Sequence, residues 1–308
     1  MYPNHQQSDY AVSLLFFLFR WWEYWHRCSL RFKMIIASFF SLAILGGMFS
    51  GYAVFVEPHF ITVAEYEIAS QNLPDAFDGT RIALITDIHH GCPMSPHLLD
   101  QIVSLTSKQS PDLILLGGDY VYGHQTALDA CFAKMSELEA PLGVYAVLGN
   151  HDYWNLPQMR KAIRNAGIVL LQNDAVWLEK GGERILLAGV KDLWHDQPSL
   201  AGSRRKLAES RFTVLLSHNP DYYDVMPPDD RKQIDLMLSG HTHGGQVTVF
   251  GLYAPQKTAH AKYTTGHVKP DNGRTHIIIS NGIGTTGLPI RFCAQPQIVL
   301  VTLKKTPR

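Results

Sequence analysis

Short apolar runs that stop abruptly at clusters of Asp, Asn, His and Gly dominate this chain. RIALIT (81–86) runs into Asp87-Ile88-His89, LILL (113–116) into Gly117-Gly118-Asp119, and VYAVL (144–148) into Gly149-Asn150-His151-Asp152. TVLLS (213–217) is followed by His218-Asn219, and DLMLS (235–239) by Gly240-His241-Thr242-His243-Gly244. Runs this short, rich in Leu and β-branched residues, read as strands buried on both faces. Sites in α/β sheets form just beyond the carboxyl ends of strands, so clusters far apart in sequence can converge in space.

Further runs at 185–189, 246–249, 276–280 and 298–303 read as strands, and the alternating ITVAEYEIAS (61–70) as an added edge strand. Helix-like stretches occupy 95–108, 127–139, 156–165 and 201–210. The alternation predicts an α/β fold: two sheets packed as a β-sandwich, flanked by helices. With no internal repeat or low-complexity linker, residues 57–308 read as one soluble domain.

The first part of the chain is a different material. Residues 34–56 contain no charged side chain, and a run of this length spans a hydrocarbon core of about 30 Å. It is expected to be a single transmembrane helix; a cleaved signal peptide would have a shorter apolar core nearer the N-terminus. Ahead of it, 1–33 reads as a cytoplasmic or interfacial basic and aromatic segment. Its apolar part (11–19) is too short to span, and Trp21, Trp22, Tyr24 and Trp25 suit an interfacial belt. A tight apolar hairpin is the alternative. Arg20, Arg27, Arg31 and Lys33 precede the span, and Glu57-Pro58-His59 follows it. The charge rule therefore keeps the N-terminus cytoplasmic and places the domain on the far side of a bacterial inner membrane.

Composition removes some function classes. A formal net charge of +0 gives no basic surface for nucleic acid. The four cysteines, Cys28, Cys92, Cys131 and Cys293, show no C-x-x-C spacing, which argues against a zinc ribbon or disulfide scaffold. No G-x-S-x-G motif supplies a covalent nucleophile.

The clusters carry the chemistry. Asp87 and His89 are two apart at a strand end, so both side chains can leave on one side and share a divalent cation. Asp119 follows two glycines that let backbone approach an ion closely. Asn150 offers a neutral carbonyl ligand, with His151 beside it to reach substrate, and His241 and His243 can address different metals. D-x-H or G-D alone is also a common turn; the set of five in one chain is what points to a metal site.

These blocks (D-x-H, G-D, G-N-H-D, H, G-H-x-H) resemble the calcineurin-like metallophosphoesterase family, over about residues 78–303. SHNPD (217–221), GHTHGGQ (240–246) and NGIGTTGLPIRF (281–292) look like its membrane-associated bacterial branch. That branch holds the YkuE- and YaeI-type phosphodiesterases and the UDP-diacylglucosamine pyrophosphatases. The resemblance implies two divalent metal ions, manganese above all, with iron or zinc compatible. Asp87, His89 and His243 would hold one, Asn150, His218 and His241 the other, and Asp119 would bridge them. His151 and Asp152 would be catalytic, with Asp152 orienting His151, and Arg291 would clamp substrate phosphate.

His90-Gly91-Cys92 departs from the relatives' usual pattern and leaves the adjoining substrate loop open. Cys92 reads as a bystander, His90 and His124 as solvent-facing, and Lys191-Asp192 as a border of the pocket. The implied activity is hydrolysis of a phosphodiester or pyrophosphate bond in a membrane-associated substrate, with a lipid-linked one as the narrower expectation. UDP-2,3-diacylglucosamine of lipid A biosynthesis is the sharper expectation, but it forms on the cytoplasmic side, against the charge rule. A general envelope phosphodiesterase, a protein phosphatase and a non-catalytic scaffold of the same fold are the alternatives.

Overall fold

The computed structural model describes residues 16–17, 19–91, 97–122, 125–249, 262–270 and 273–307. Cys92, His124 and the start of the 95–108 helix lie outside the described residues, as does most of the apolar run at 11–19. Two compact units divide the chain, Met1–Tyr52 and Ala53–Arg308.

The apolar run folds as a helix over Leu30–Phe55, 26 residues with none buried. At 1.5 Å per residue that is about 39 Å, enough to cross a bilayer.

Among the described residues, twelve strands follow in chain order: β1 (Thr62–Ser70), β2 (Arg81–Ile85), β3 (Leu113–Leu116), β4 (Val144–Ala146), β5 (Val169–Leu170), β6 (Asp174–Lys180), β7 (Glu183–Gly189), β8 (Thr213–Leu216), β9 (Leu236–Ser239), β10 (Gly266–Val268), β11 (His276–Ile279) and β12 (Gln297–Lys305). They form two six-stranded sheets, ordered β1-β12-β2-β3-β4-β5 and β10-β11-β9-β8-β7-β6. Pairing is parallel from β2 through β5 and from β7 through β9 to β11.

Period-two burial builds the layers. Ile82 and Leu84 of β2 and Leu113 and Leu115 of β3 enter the core between the sheets, where Leu187, Val214 and Leu238 meet them. Their neighbours Ala83, Ile85, Ile114 and Leu116 face outward, under Ile102, Leu128 and Met159 of the helices Leu98–Lys108, Gln125–Met135 and Leu156–Asn165. A third core covers the other sheet's outer face, with Leu186, Leu215 and Met237 against Tyr222 and Tyr263. The central positions are nearly all apolar because both faces are covered, with Thr213 and Ser239 as buried polar strand ends.

The α/β sandwich and its helices are as expected. The expected strand at 246–249 is instead isolated bridging, with Val247 pairing Phe292. Gln246 there has φ 54°, and its amide bonds the carbonyls of Thr286 and Leu288, so the side chain organises a loop and breaks the ladder. The edge strand ITVAEYEIAS is β1, paired in parallel to β12.

Candidate metal centre

The clusters come together at the carboxyl ends of parallel strands from both sheets. Asp87 N–H donates to Gly118 O at 2.9 Å and His89 N–H to Asp119 O at 3.0 Å, so the loops after β2 and β3 are laced edge to edge. The sheets meet there too, since the His241 N–H, after β9, donates to both Asp87 carboxylate oxygens at 3.0 Å. Glycines permit this approach. A Cβ at Gly149 would run into the Asp119 carboxylate, and one at Gly240 into that of Asp87.

Two groups of ligand atoms result, Asp87, His89 and His243 in one and Asp119, His218 and His241 in the other, all buried. Asp119 Oδ2 faces both, 3.5 Å from His89 Nε2 and 3.4 Å from His218 Nε2. His218 Nε2 also lies 3.2 Å from Asn150 Oδ1 and 3.2 Å from His241 Nδ1. Ligand atoms about 2.1 Å from a shared cation sit about 3.0–3.5 Å from one another, so these spacings are those of a coordination shell.

Three details fit the residues to cations. Both ring nitrogens of His89 and Nε2 of His241 are buried without a hydrogen-bond partner among the described residues, a cost that a metal ligand would relieve. His218 Nδ1–H donates to Gly117 O at 2.8 Å, which orients Nε2 toward Asp119 and Asn150. Burial holds the His89 and His241 pKa values down to about 4 and about 3, so both imidazoles are neutral donors at neutral pH. Burial would raise the Asp119 carboxyl, but His218 outweighs it and keeps Asp119 ionised; burial in turn would lower His218, but Asp119 raises it to about 10.

Backbone strain concentrates here. Asp87, His89, Asp119, His241 and His243 have φ of 53°, 45°, 56°, 70° and 52°, a left-handed region that non-glycine residues rarely occupy. Strain at five expected ligands is a mark of function rather than of packing.

Residues 80–245 match the calcineurin-like phosphoesterase family. The chain belongs to that family. It is 33% identical over 274 residues to the uncharacterized metallophosphoesterase YkuE of Bacillus subtilis, covering 86% of this chain and 93% of that one. A metallophosphoesterase of Aquifex aeolicus is 30% identical, covering 85% and 98%. Among solved structures, the NAD nucleotidase of Haemophilus influenzae superposes with a TM-score of 0.45 at 16% identity, over 66% of this chain and 50% of that one. Membership makes this phosphoesterase a metal-dependent hydrolase of phosphoric esters.

Two expected site residues hold backbone in place. Arg291 points its guanidinium inward. It is fully buried, and its N–H groups donate to the carbonyls of Gly284, His243, Ala294 and Asn281. A buried guanidinium needs every donor satisfied, and this loop satisfies them. Asp152 does not touch the His151 ring. Its Oδ2 accepts from Asp119 N and Gly149 N, both at 2.8 Å, and its Oδ1 from Tyr120 N at 3.0 Å. It braces the loop backbone and contacts neither substrate space nor imidazole.

His151 is partly exposed, its ring centroid 5.0 Å from that of His89, and its N–H donates to Asp119 Oδ1 at 2.8 Å. His90 joins the site only through its backbone, bridging Val121. Lys191 pairs with Asp196, while Asp192 is buried and accepts from Trp194 N and His195 N.

Residues that sequence reasoning missed are Thr86, whose hydroxyl donates to Asp87 at 2.8 Å, Glu57, and the aromatics Tyr122 and Trp194. Glu57 is buried and accepts the N–H groups of Cys293 and Ala294, fastening the loop that carries Arg291. Tyr122 and Trp194 each follow a strand-end cluster by a few residues, the one signal that could have found them.

Proposed function

We propose that this phosphoesterase is membrane-tethered and hydrolyses a phosphodiester or pyrophosphate bond in a membrane-associated substrate, using two divalent cations. The position of Asp119 Oδ2 between His89 and His218 carries the reading, because one carboxylate oxygen can serve both clusters. Asp87, His89 and His243 would hold one cation, and Asn150, His218 and His241 the other, with Asp119 common to both. Manganese is the metal the bacterial branch leads one to expect, and the mixed nitrogen and oxygen donors also suit iron or zinc.

Bound there, the cations would activate water and neutralise charge on the phosphoryl oxygens. The protein's own groups do the rest. His151, partly exposed beside His89, gives an imidazole N–H to the leaving oxygen. Thr86 and the His241 N–H hold the Asp87 carboxylate in one orientation. Arg291 and Asp152 hold the ligand-bearing loops from beneath.

The tether rests on the helix Leu30–Phe55, apolar and without a buried residue. A Danio rerio relative, 26% identical over 79% of this chain, is described as a transmembrane protein with a metallophosphoesterase domain. Single-pass anchoring in a bacterial inner membrane would raise the effective concentration of a lipid-linked substrate. UDP-2,3-diacylglucosamine is the first such substrate to try.

The deciding experiment is turnover of an aryl phosphodiester and of UDP-2,3-diacylglucosamine by the purified full chain, with chelator and with added manganese. Chelator-sensitive release of UMP supports the lipid reading and requires a cytoplasmic catalytic unit. Activity on the aryl diester alone leaves an envelope phosphodiesterase. No metal-dependent turnover of either overturns the proposal.

A further inference from the structure

An exposed tryptophan stands against a metal-competent histidine. The Trp194 ring centroid is 4.3 Å from that of His241, the planes at 88°, and Trp194 is 51% exposed. Beside the other ligand cluster, Tyr122 lies 6.1 Å from His151 at 27° and 6.3 Å from His89, and is 41% exposed. An aromatic ring held half in water costs apolar exposure, and a mobile loop would fold it away.

The loop under Trp194 is built to prevent that. Asp192 Oδ1 accepts from Trp194 N at 2.9 Å and from His195 N at 2.8 Å. Tyr153 stacks on His195 at 5.6 Å, and the Asp192 N–H reaches the Tyr153 hydroxyl. Asn173 spans the loop, its Oδ1 accepting from Lys191 N and Ser199 N and its Nδ2 donating to Gln197 O. Trp194 is thus a fixed aromatic surface beside the spot where a phosphoryl group would sit.

We propose that Trp194 is the floor of a stacking subsite for a planar ring, a nucleobase or aryl group, carried on the phosphoryl group bound at the metal centre, with Tyr122 as the opposite wall. The proposal rests on the phosphoesterase reading of that centre. Stacking of a base on an aromatic side chain tolerates any ring with a π-face, so the subsite selects flat groups over alkyl ones.

The test compares binding and turnover in the manganese-loaded full chain, wild type against Trp194→Ala and Trp194→Phe. By calorimetry, wild type should bind AMP at least about ten times tighter than ribose 5-phosphate, which carries the same phosphate without the base. Trp194→Ala should bring the two affinities to within about two-fold of each other, and Trp194→Phe should restore most of the preference. In turnover, Trp194→Ala should lower the ratio of kcat/KM on an aryl diester to kcat/KM on a dialkyl diester by about ten-fold.

Equal affinity for the two phosphates in wild type, binding of neither, or an equal loss on both in Trp194→Ala overturns the subsite. A base preference that depends on Trp194 without turnover of any ester would sink the hydrolase reading and leave the subsite standing.

Discussion

Asp152 holds Asp119 by its backbone: the carboxylate Oδ2 accepts the Asp119 N–H at 2.8 Å and, with the same oxygen, the N–H of Gly149. The residue whose side chain faces both clusters is therefore fixed from the G-N-H-D loop, more than thirty positions away. Asp119 returns the contact, accepting the His151 N–H at 2.8 Å. The two loops set each other's geometry, so the site is pre-organised by main-chain bonds.

Replacing Asp152 should therefore act on the scaffold. Asp152→Ala strands three buried N–H groups, those of Asp119, Tyr120 and Gly149. At about 1–3 kcal/mol per unsatisfied group, stability should fall by at least about 3 kcal/mol. Urea denaturation checks this, and bound metal should fall with it. Unchanged stability with lost activity would restore a direct catalytic role.

Asp119→Asn removes the charge common to both clusters. Bound metal should drop from two ions per chain to one or none, and turnover should fall by more than about a hundred-fold, since even ligand-supporting residues are worth 10–100-fold. Metal analysis of dialysed protein reads the first quantity. In wild type, a chelator should abolish activity, lower Tm, and be reversed by added manganese.

Arg291→Lys distinguishes a brace from a phosphate clamp. Lysine has three donors for the carbonyls that Arg291 serves, so about 2–4 kcal/mol of stability should be lost. Because Arg291 lies against His243, metal affinity and kcat should fall while KM stays near wild type. A large rise in KM with normal metal content would return Arg291 to the substrate.

A pH effect should come from the far edge of the second sheet. His267 Nε2 meets His276 Nδ1 at 2.9 Å, with the rings stacked at 5.0 Å. Burial, then Lys269 and His267, drives His276 down to about 4, and burial lowers His267 also. The folded chain resists protonation that the unfolded chain accepts near pH 6.5. Stability present above that pH is thus lost as pH falls from about 6.5 towards about 4. Tm measured across this window should drop less steeply in His276→Asn than in wild type, by a modest amount because both rings are partly solvated.

The central strands were legible because burial on both faces favours apolar residues at successive positions, leaving unbroken runs such as LILL and the VLL of TVLL. The edge strands β6 and β10 were not. DAVWLEK buries only Ala175 and Leu178 between charged ends, and GHV is three residues, so neither stands out from loop. The ligand types were legible for a related reason: Asp, Asn and His at consecutive strand ends have no packing role to explain them.

What the linear order could not contain is which atom faces which. Asp152 finds Asp119 rather than the adjacent His151, and Arg291 turns inward, because their partners are supplied by loops remote in sequence. Hydrogen bonding of buried polar groups is a condition on neighbours in space. The chain order thus determined the layers and the chemistry available, and only the closing of two sheets against each other decided which carboxylate binds, which braces, and where Trp194 stands.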